Sequence, residues 1–131
     1  MKISIYKTSS YPVSVKKVRS AVEAVFKNAG LGDDAEASVA IVSHTSMVDY
    51  AKKYLKETQE QAEAHPVLSF PTSEIEGPFL FPPDKSLHVG EIIVSYPKAR
   101  ETAKEEGRLV DDVVADLAEH GALHLVGVHH D

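Results

Sequence analysis

The first residues alternate. In "KISIY", 2 to 6, Ile3 and Ile5 are separated by polar neighbours, the two-residue period of a strand buried on one face. From Tyr11 the period lengthens: Val15, Val18, Val22, Val25 and Phe26 share one helical stripe, with Ser14 placed to cap the helix and Gly30 to stop it. "SVAIVSH", 38 to 44, is apolar on both faces, as a central strand is. Ser46 is then expected to cap a helix carrying Met47, Val48, Ala51, Tyr54 and Leu55, which fades into the polar run "KETQEQAEA". "PVLSFP" reads as a short strand between prolines, "TSEIEGPFLFPPDKS" as a long loop, and "HVGEIIVSY" as a further strand. Two helices follow, over roughly 97 to 106 and 109 to 125. Strands interleaved with helices, without strict alternation, predict an α+β fold of about four strands in a mixed sheet with helices packed on it.

Composition narrows the picture. A chain of 131 residues, 43% of them hydrophobic, suits one domain over 1–131 with one real core. No apolar run is long enough for a transmembrane helix and the N-terminus turns polar at once, so neither a membrane span nor a signal peptide is expected, and the chain reads as cytoplasmic. Twenty acidic against fourteen basic side chains, a net charge of −6, argue against a large non-specific grip on nucleic acid and leave room only for a local basic patch. Without cysteine, any metal must be held by histidine or carboxylate.

Such a site is suggested by "HGALHLVGVHH", 120 to 130, which holds four of the seven histidines. In the last helix Val110, Val113, Val114 and Leu117 form the expected inward stripe, and the same spacing leads on to His120, Gly121 and His124. Residues four apart lie one above the other on a helix, near enough for two imidazoles to reach one ion. His130 joins them only if the helix breaks, since ten further residues of helix would carry it about 15 Å along the axis. Gly127 is the residue able to break it, in the left-handed conformation that turns a chain back past a helix end. The spacing is that of the metzincin zinc proteases, except that Gly121 stands where they carry glutamate. Either His129 or His130 can serve as third ligand; the spacing favours His130. Three neutral imidazoles around one Zn2+ per chain leave a fourth position open, the pattern of a catalytic site, where bound water is acidified toward a pKa of ~7.

At these residues the sequence resembles the YbeY family, zinc-dependent endoribonucleases of ribosomal RNA maturation. Their signature, H-G-x-L-H-L-x-G-Y-D-H, is matched by His120, Gly121, Leu123, His124, Leu125, Gly127 and His130, while Val128 and His129 replace the Tyr-Asp pair. "VLSFP" (67 to 71) and "GEIIVSYP" (90 to 97) resemble two further family segments, so that the likeness covers roughly residues 38 to 131. The resemblance implies a zincin-like C-terminal metal-binding helix with zinc on His120, His124 and His130. It implies single-strand-specific cleavage of RNA, not DNA, in maturation of the small-subunit ribosomal RNA 3′ end and in ribosome quality control. An rRNA precursor would be the substrate, with the ribosome or small-subunit proteins as partners. Family members usually carry Arg or Leu after an aromatic residue upstream of the V-L-S-F-P segment; here Leu55 follows Tyr54, no clear arginine equivalent stands nearby, and Lys53 or Lys56 is the candidate source of positive charge.

Other residues are weaker candidates. His44, His65 and His88 each stand at an expected strand end. His65 is the strongest of them for a catalytic role, because it adjoins "VLSFP"; Gly121 is the other catalytic candidate, leaving room beside the ion. Ser69 reads as structural. Lys16, Lys17 and Arg19 read as a solvated helix face, as do Lys98, Arg100 and Lys104. Asp111 and Asp112 suit the first turn of a helix. "GPFLFPP" reads as a folded-back plug. Three functional classes follow: a zinc endoribonuclease, a metzincin-like metalloprotease weakened by the missing glutamate, and a non-catalytic ribosome-assembly factor with a structural metal.

Overall fold

The structure, a computed structural model, describes residues 1–71 and 87–127. The expected loop, with Phe79, Leu80 and Phe81, and the histidines at 129 and 130 lie outside the described residues. Strand β1 (Lys2–Lys7) leads to helix α1 (Val15–Asn28). Ser14 caps α1 by accepting the Lys17 N–H, and Val18, Val22, Val25 and Phe26 are buried along its inner face. The expected strand and helix both form, with sharp ends because each cap has a residue suited to it.

The next boundary differs from the sequence expectation. Strand β2 spans Ala35–Val42, and helix α2 starts at His44. Ser43, in extended conformation, takes the Ser46 N–H on its hydroxyl, so Ser43 and not Ser46 is the N-cap. Two serines three apart offer the same capping chemistry; the earlier one prevails because β2 ends where Val42 pairs with Ser95. Helix α2 (His44–Leu55) ends at Lys56, which adopts the left-handed conformation at φ 54°. The polar run beyond it is not structureless. Thr58 and Gln61 form a reciprocal capping box at the head of a one-turn helix, α3 (Gln59–Ala62), which buries Ala62.

Strands β3 (Val67–Pro71) and β4 (Leu87–Ser95) complete a four-stranded sheet in the order β1-β2-β4-β3. β2 runs parallel to both β1 and β4, while β3 is antiparallel to β4, which makes the sheet mixed as expected. Helices α4 (Tyr96–Glu106) and α5 (Val110–Leu125) follow. One face of the sheet packs against α1, α4 and α5 through residues that include Val39, Ile41, Ile92 and Val94. The other face carries a smaller cluster, in which Val42, Leu68, Phe70 and Ile93 pack under Met47, Val48 and Ala51 of α2. β2 is therefore apolar on both sides because helices cover both sides.

An ion pair and a hydrogen bond tie the start of α1 to α5. Lys17 pairs with Asp112, and Asp111 accepts the Ser14 N–H at 3.1 Å. Arg19 donates to the Ile3 carbonyl at 3.1 Å. Lys17 and Arg19 were expected on a solvated helix face; the structure gives each a tertiary partner instead, Asp112 for Lys17 and the Ile3 carbonyl for Arg19. Among the described residues, no helix is long and apolar enough to cross a membrane.

Candidate metal centre

The inward stripe of α5 consists of Val113, Val114, Ala118, Gly121 and Ala122, all buried. Val110 and Leu117 are only partly buried. His120 and His124 were expected on the core side; they sit instead on the flank of that stripe, His120 exposed and His124 half-buried. At 100° per residue, the buried face centred on 114, 118, 121 and 122 leaves 120 and 124 beside it, not in it. A ligand pair needs that placement, since a core imidazole could not meet substrate.

The two rings converge. Their Nε2 atoms are 3.0 Å apart and the ring planes meet at 70°. Two nitrogens bound to one tetrahedral zinc at 2.0–2.1 Å stand about 3.3 Å apart, so the pair fits a shared ion with almost no adjustment. Among the described residues, no third histidine, aspartate or glutamate completes a cluster with them. The helix does end as the spacing requires: the N–H of Val126 bonds to the Ala122 carbonyl, and Gly127 turns left-handed at φ +87°. The chain is thereby directed away from the helix axis just before the two remaining histidines.

His120 and His124 open onto a cleft of about 240 Å³ that straddles the edge strand β3. Leu55 from the end of α2, Val67 to Phe70 of β3, and Gly121 share in its lining, so among the described residues the walls around the two imidazoles carry no formal charge. Ser69 pairs with Ile92 across the ladder and lies on the α5 face of the sheet, which brings its hydroxyl into this lining. The strand's two-residue period could have placed Ser69 there from sequence, had the helix on that face been known.

Gly121 makes the close approach of α5 to the sheet. A Cβ at this position would lie 2.7 Å from Cγ2 of Ile92, which is fully buried and cannot yield. The position that holds glutamate in metzincins is thus pressed against the sheet in this fold. Gly121→Ala is expected to be overpacked by about 1–3 kcal/mol, partly offset by about 1 kcal/mol of helix propensity. A thermal unfolding midpoint equal to or above that of the parent would contradict this packing.

The other histidines lie elsewhere. His65 is not brought to the cleft: its Nε2 is 2.6 Å from a Glu57 carboxylate oxygen, an ion-pair-like contact across the α3 segment. Adjacency to "VLSFP" along the chain misleads, because β3 carries its own residues into the cleft while the preceding turn faces α3. His88 lies 3.3 Å from Glu36 on the sheet face that α2 leaves open, and His44 is 3.9 Å from Glu63. Sequence reasoning also missed that Leu55 and Phe70 wall the cleft, since both read simply as core residues.

Comparison with known proteins bears on what this cleft is. Residues 5–131 match the family model described as Endoribonuclease YbeY. The chain belongs to the YbeY family. The Endoribonuclease YbeY of Deinococcus radiodurans is 36% identical over 114 residues, 86% of this chain and 66% of that protein. That of Thermus thermophilus is 33% identical over 116 residues, covering 88% of this chain and 76% of the relative. A shorter, closer match joins 52 residues to the Endoribonuclease YbeY of Dehalococcoides mccartyi at 46% identity, 40% of this chain and 32% of that protein. The matched region thus spans about a third of the Dehalococcoides protein's length and just under two thirds of the Deinococcus protein's.

Proposed function

We propose that this chain is a zinc-dependent endoribonuclease that cuts single-stranded RNA, acting in maturation of ribosomal RNA. The observation that carries the reading is the convergence of His120 and His124, Nε2 atoms 3.0 Å apart, at the mouth of a cleft in a chain of the YbeY family. His130, by its spacing, is the third ligand, and one zinc would be held per chain. When bound, the ion would supply a Lewis acid for a phosphoryl oxygen and a means of activating water. His120 and His124 hold and orient it. The uncharged walls from Leu55 and β3 limit water and so strengthen the electrostatics at the reacting phosphate. Among the described residues, no carboxylate lines the cleft to act as general base, help that is worth about 10²–10⁴-fold in rate. A phosphodiester with a neighbouring 2′-hydroxyl has a built-in nucleophile and tolerates this lack; a peptide does not. Slow RNA cleavage without proteolysis is the consequence.

Purified protein is expected to contain about one zinc per chain, to cut single-stranded RNA slowly, to lose that activity with a chelator, and to leave casein intact. The rate should fall as salt rises, because a chain of net charge −6 can hold RNA only through a few local cations. Casein cleavage would favour the metalloprotease, and stoichiometric zinc with intact RNA would favour an assembly factor with a structural metal. The ribosomal partners rest on the family reading, and co-sedimentation of the protein with small ribosomal subunits tests them; the cytoplasmic location rests on the chain's lack of a long apolar run and its polar N-terminus, and cell fractionation tests it.

A further inference from the structure

On the side of the cleft away from α5, three aromatic rings stand in a row. Tyr50 and Tyr54, one turn apart on α2, have ring centroids 6.1 Å apart and planes 18° from parallel. Tyr54 then meets Phe70 of β3 at 5.3 Å. The Lys53 ammonium lies 5.1 Å from the Tyr54 ring centroid. Tyr54 nevertheless keeps 46% of its surface exposed, and Leu55 beside it keeps 44%. A hollow of about 260 Å³ is lined by Tyr50, Tyr54, Lys53, Ser46 and Asp49. It adjoins the histidine cleft: Phe70, the ring partner of Tyr54, and Leu55, its chain neighbour, both line that cleft.

We infer that this row is a base-stacking subsite, in which one unpaired nucleobase of an RNA strand stacks on Tyr54 while the adjoining backbone runs past Leu55 to His120 and His124. The inference rests on the endoribonuclease reading and extends it from the reacting phosphate to the strand that carries it. The chemistry of the hollow selects a base over other occupants. A flat, half-exposed ring with a cation at its face matches a π-surface linked to a phosphate, the pairing by which single strands are gripped without sequence readout. Asp49 repels a phosphate inside the hollow but accepts a hydrogen bond from an exocyclic amine, which favours cytosine, adenine or guanine over uracil there. Lys53 and Lys56, both exposed, are the cations on hand for the backbone. Lys56 holds a left-handed φ that a side chain rarely adopts, directly after the cleft residue Leu55. A duplex cannot present a splayed base to Tyr54, so the subsite would also make the strand preference.

The test uses a single-stranded RNA of about six nucleotides, within the usual site size for such grooves, carrying 2-aminopurine at each position in turn. One position is expected to be quenched on binding. Replacing that nucleotide by an abasic one should weaken binding about 5- to 150-fold, the range that base–aromatic stacking commands. Tyr54→Leu, which keeps Phe70 covered, should give the same loss with intact RNA, and Tyr54→Phe should restore affinity. Equal affinity for the abasic strand, or a Tyr54→Leu protein that binds and quenches like the parent while still cutting RNA, overturns the subsite and leaves the endoribonuclease reading standing. A parent protein that neither binds nor cuts RNA overturns both. Concentration-dependent dimerisation abolished by Tyr54→Leu, without position-specific quenching, would assign the rings to a second copy of the chain instead.

Discussion

Replacing His124 by alanine is expected to empty the metal site and end RNA cleavage while the fold survives. The imidazole is half-buried on the flank of α5 and fills no core position, so its loss leaves no cavity in the sheet-facing stripe. Its role is geometric. In the proposed site His124 and His120 would offer one ion two nitrogens now 3.0 Å apart, and a ligand set of three that loses one member would retain too little affinity to hold zinc through purification. Elemental analysis of the variant should fall from about one zinc per chain to a background level, and cleavage should fall to that of chelated parent protein. The circular dichroism spectrum should be unchanged. Zinc retained at full stoichiometry would remove His124 from the ligand set. The same measurement settles the third ligand: His130→Ala is expected to lose the metal and His129→Ala to keep it, and the reverse result would exchange their roles.

The second large effect is on stability. Ile92 is fully buried in β4, next to β3 in the ladder and directly beneath Gly121. Ile92→Ala removes the side chain on which α5 rests at its point of closest approach, and truncations of this kind cost about 2–5 kcal/mol, depending on how far the surroundings collapse. Collapse is restricted here because the main chain of α5 already touches the sheet through a residue without a side chain. Denaturant unfolding should show a loss in that range. The pair Gly121→Ala with Ile92→Ala should lose less than the two single variants added together, because the new methyl enters the space the isoleucine vacated. Strict additivity would mean that the two positions do not touch.

The histidine spacing, the two-residue period of β1, the helical stripe of α1 and the breaking glycine at 127 were all legible along the chain, since each depends on residues close in sequence. Local rules set them: period, cap and φ preference act over at most a few turns. The start of α2 was less legible, because Ser43 and Ser46 obey the same local rule and the choice between them came from the register of β2 on β4. His65 was less legible for a related reason. Nearness along the chain suggested the cleft, while its contact in the structure is with Glu57, on the far side of α3 in sequence.

What the sequence by itself determined, then, is the α+β element order and a pair of histidines four residues apart on the last helix, because both are encoded in short-range periodicity. Tertiary structure decided what those histidines face. Only the packing of Gly121 against Ile92 puts His120 and His124 beside the buried stripe, and only the position of β3 at the sheet edge brings Leu55, Ser69 and Phe70 around them. These neighbours come from three stretches of chain joined by no local pattern. Their meeting is fixed by strand order and helix–sheet contact, which no window of sequence contains.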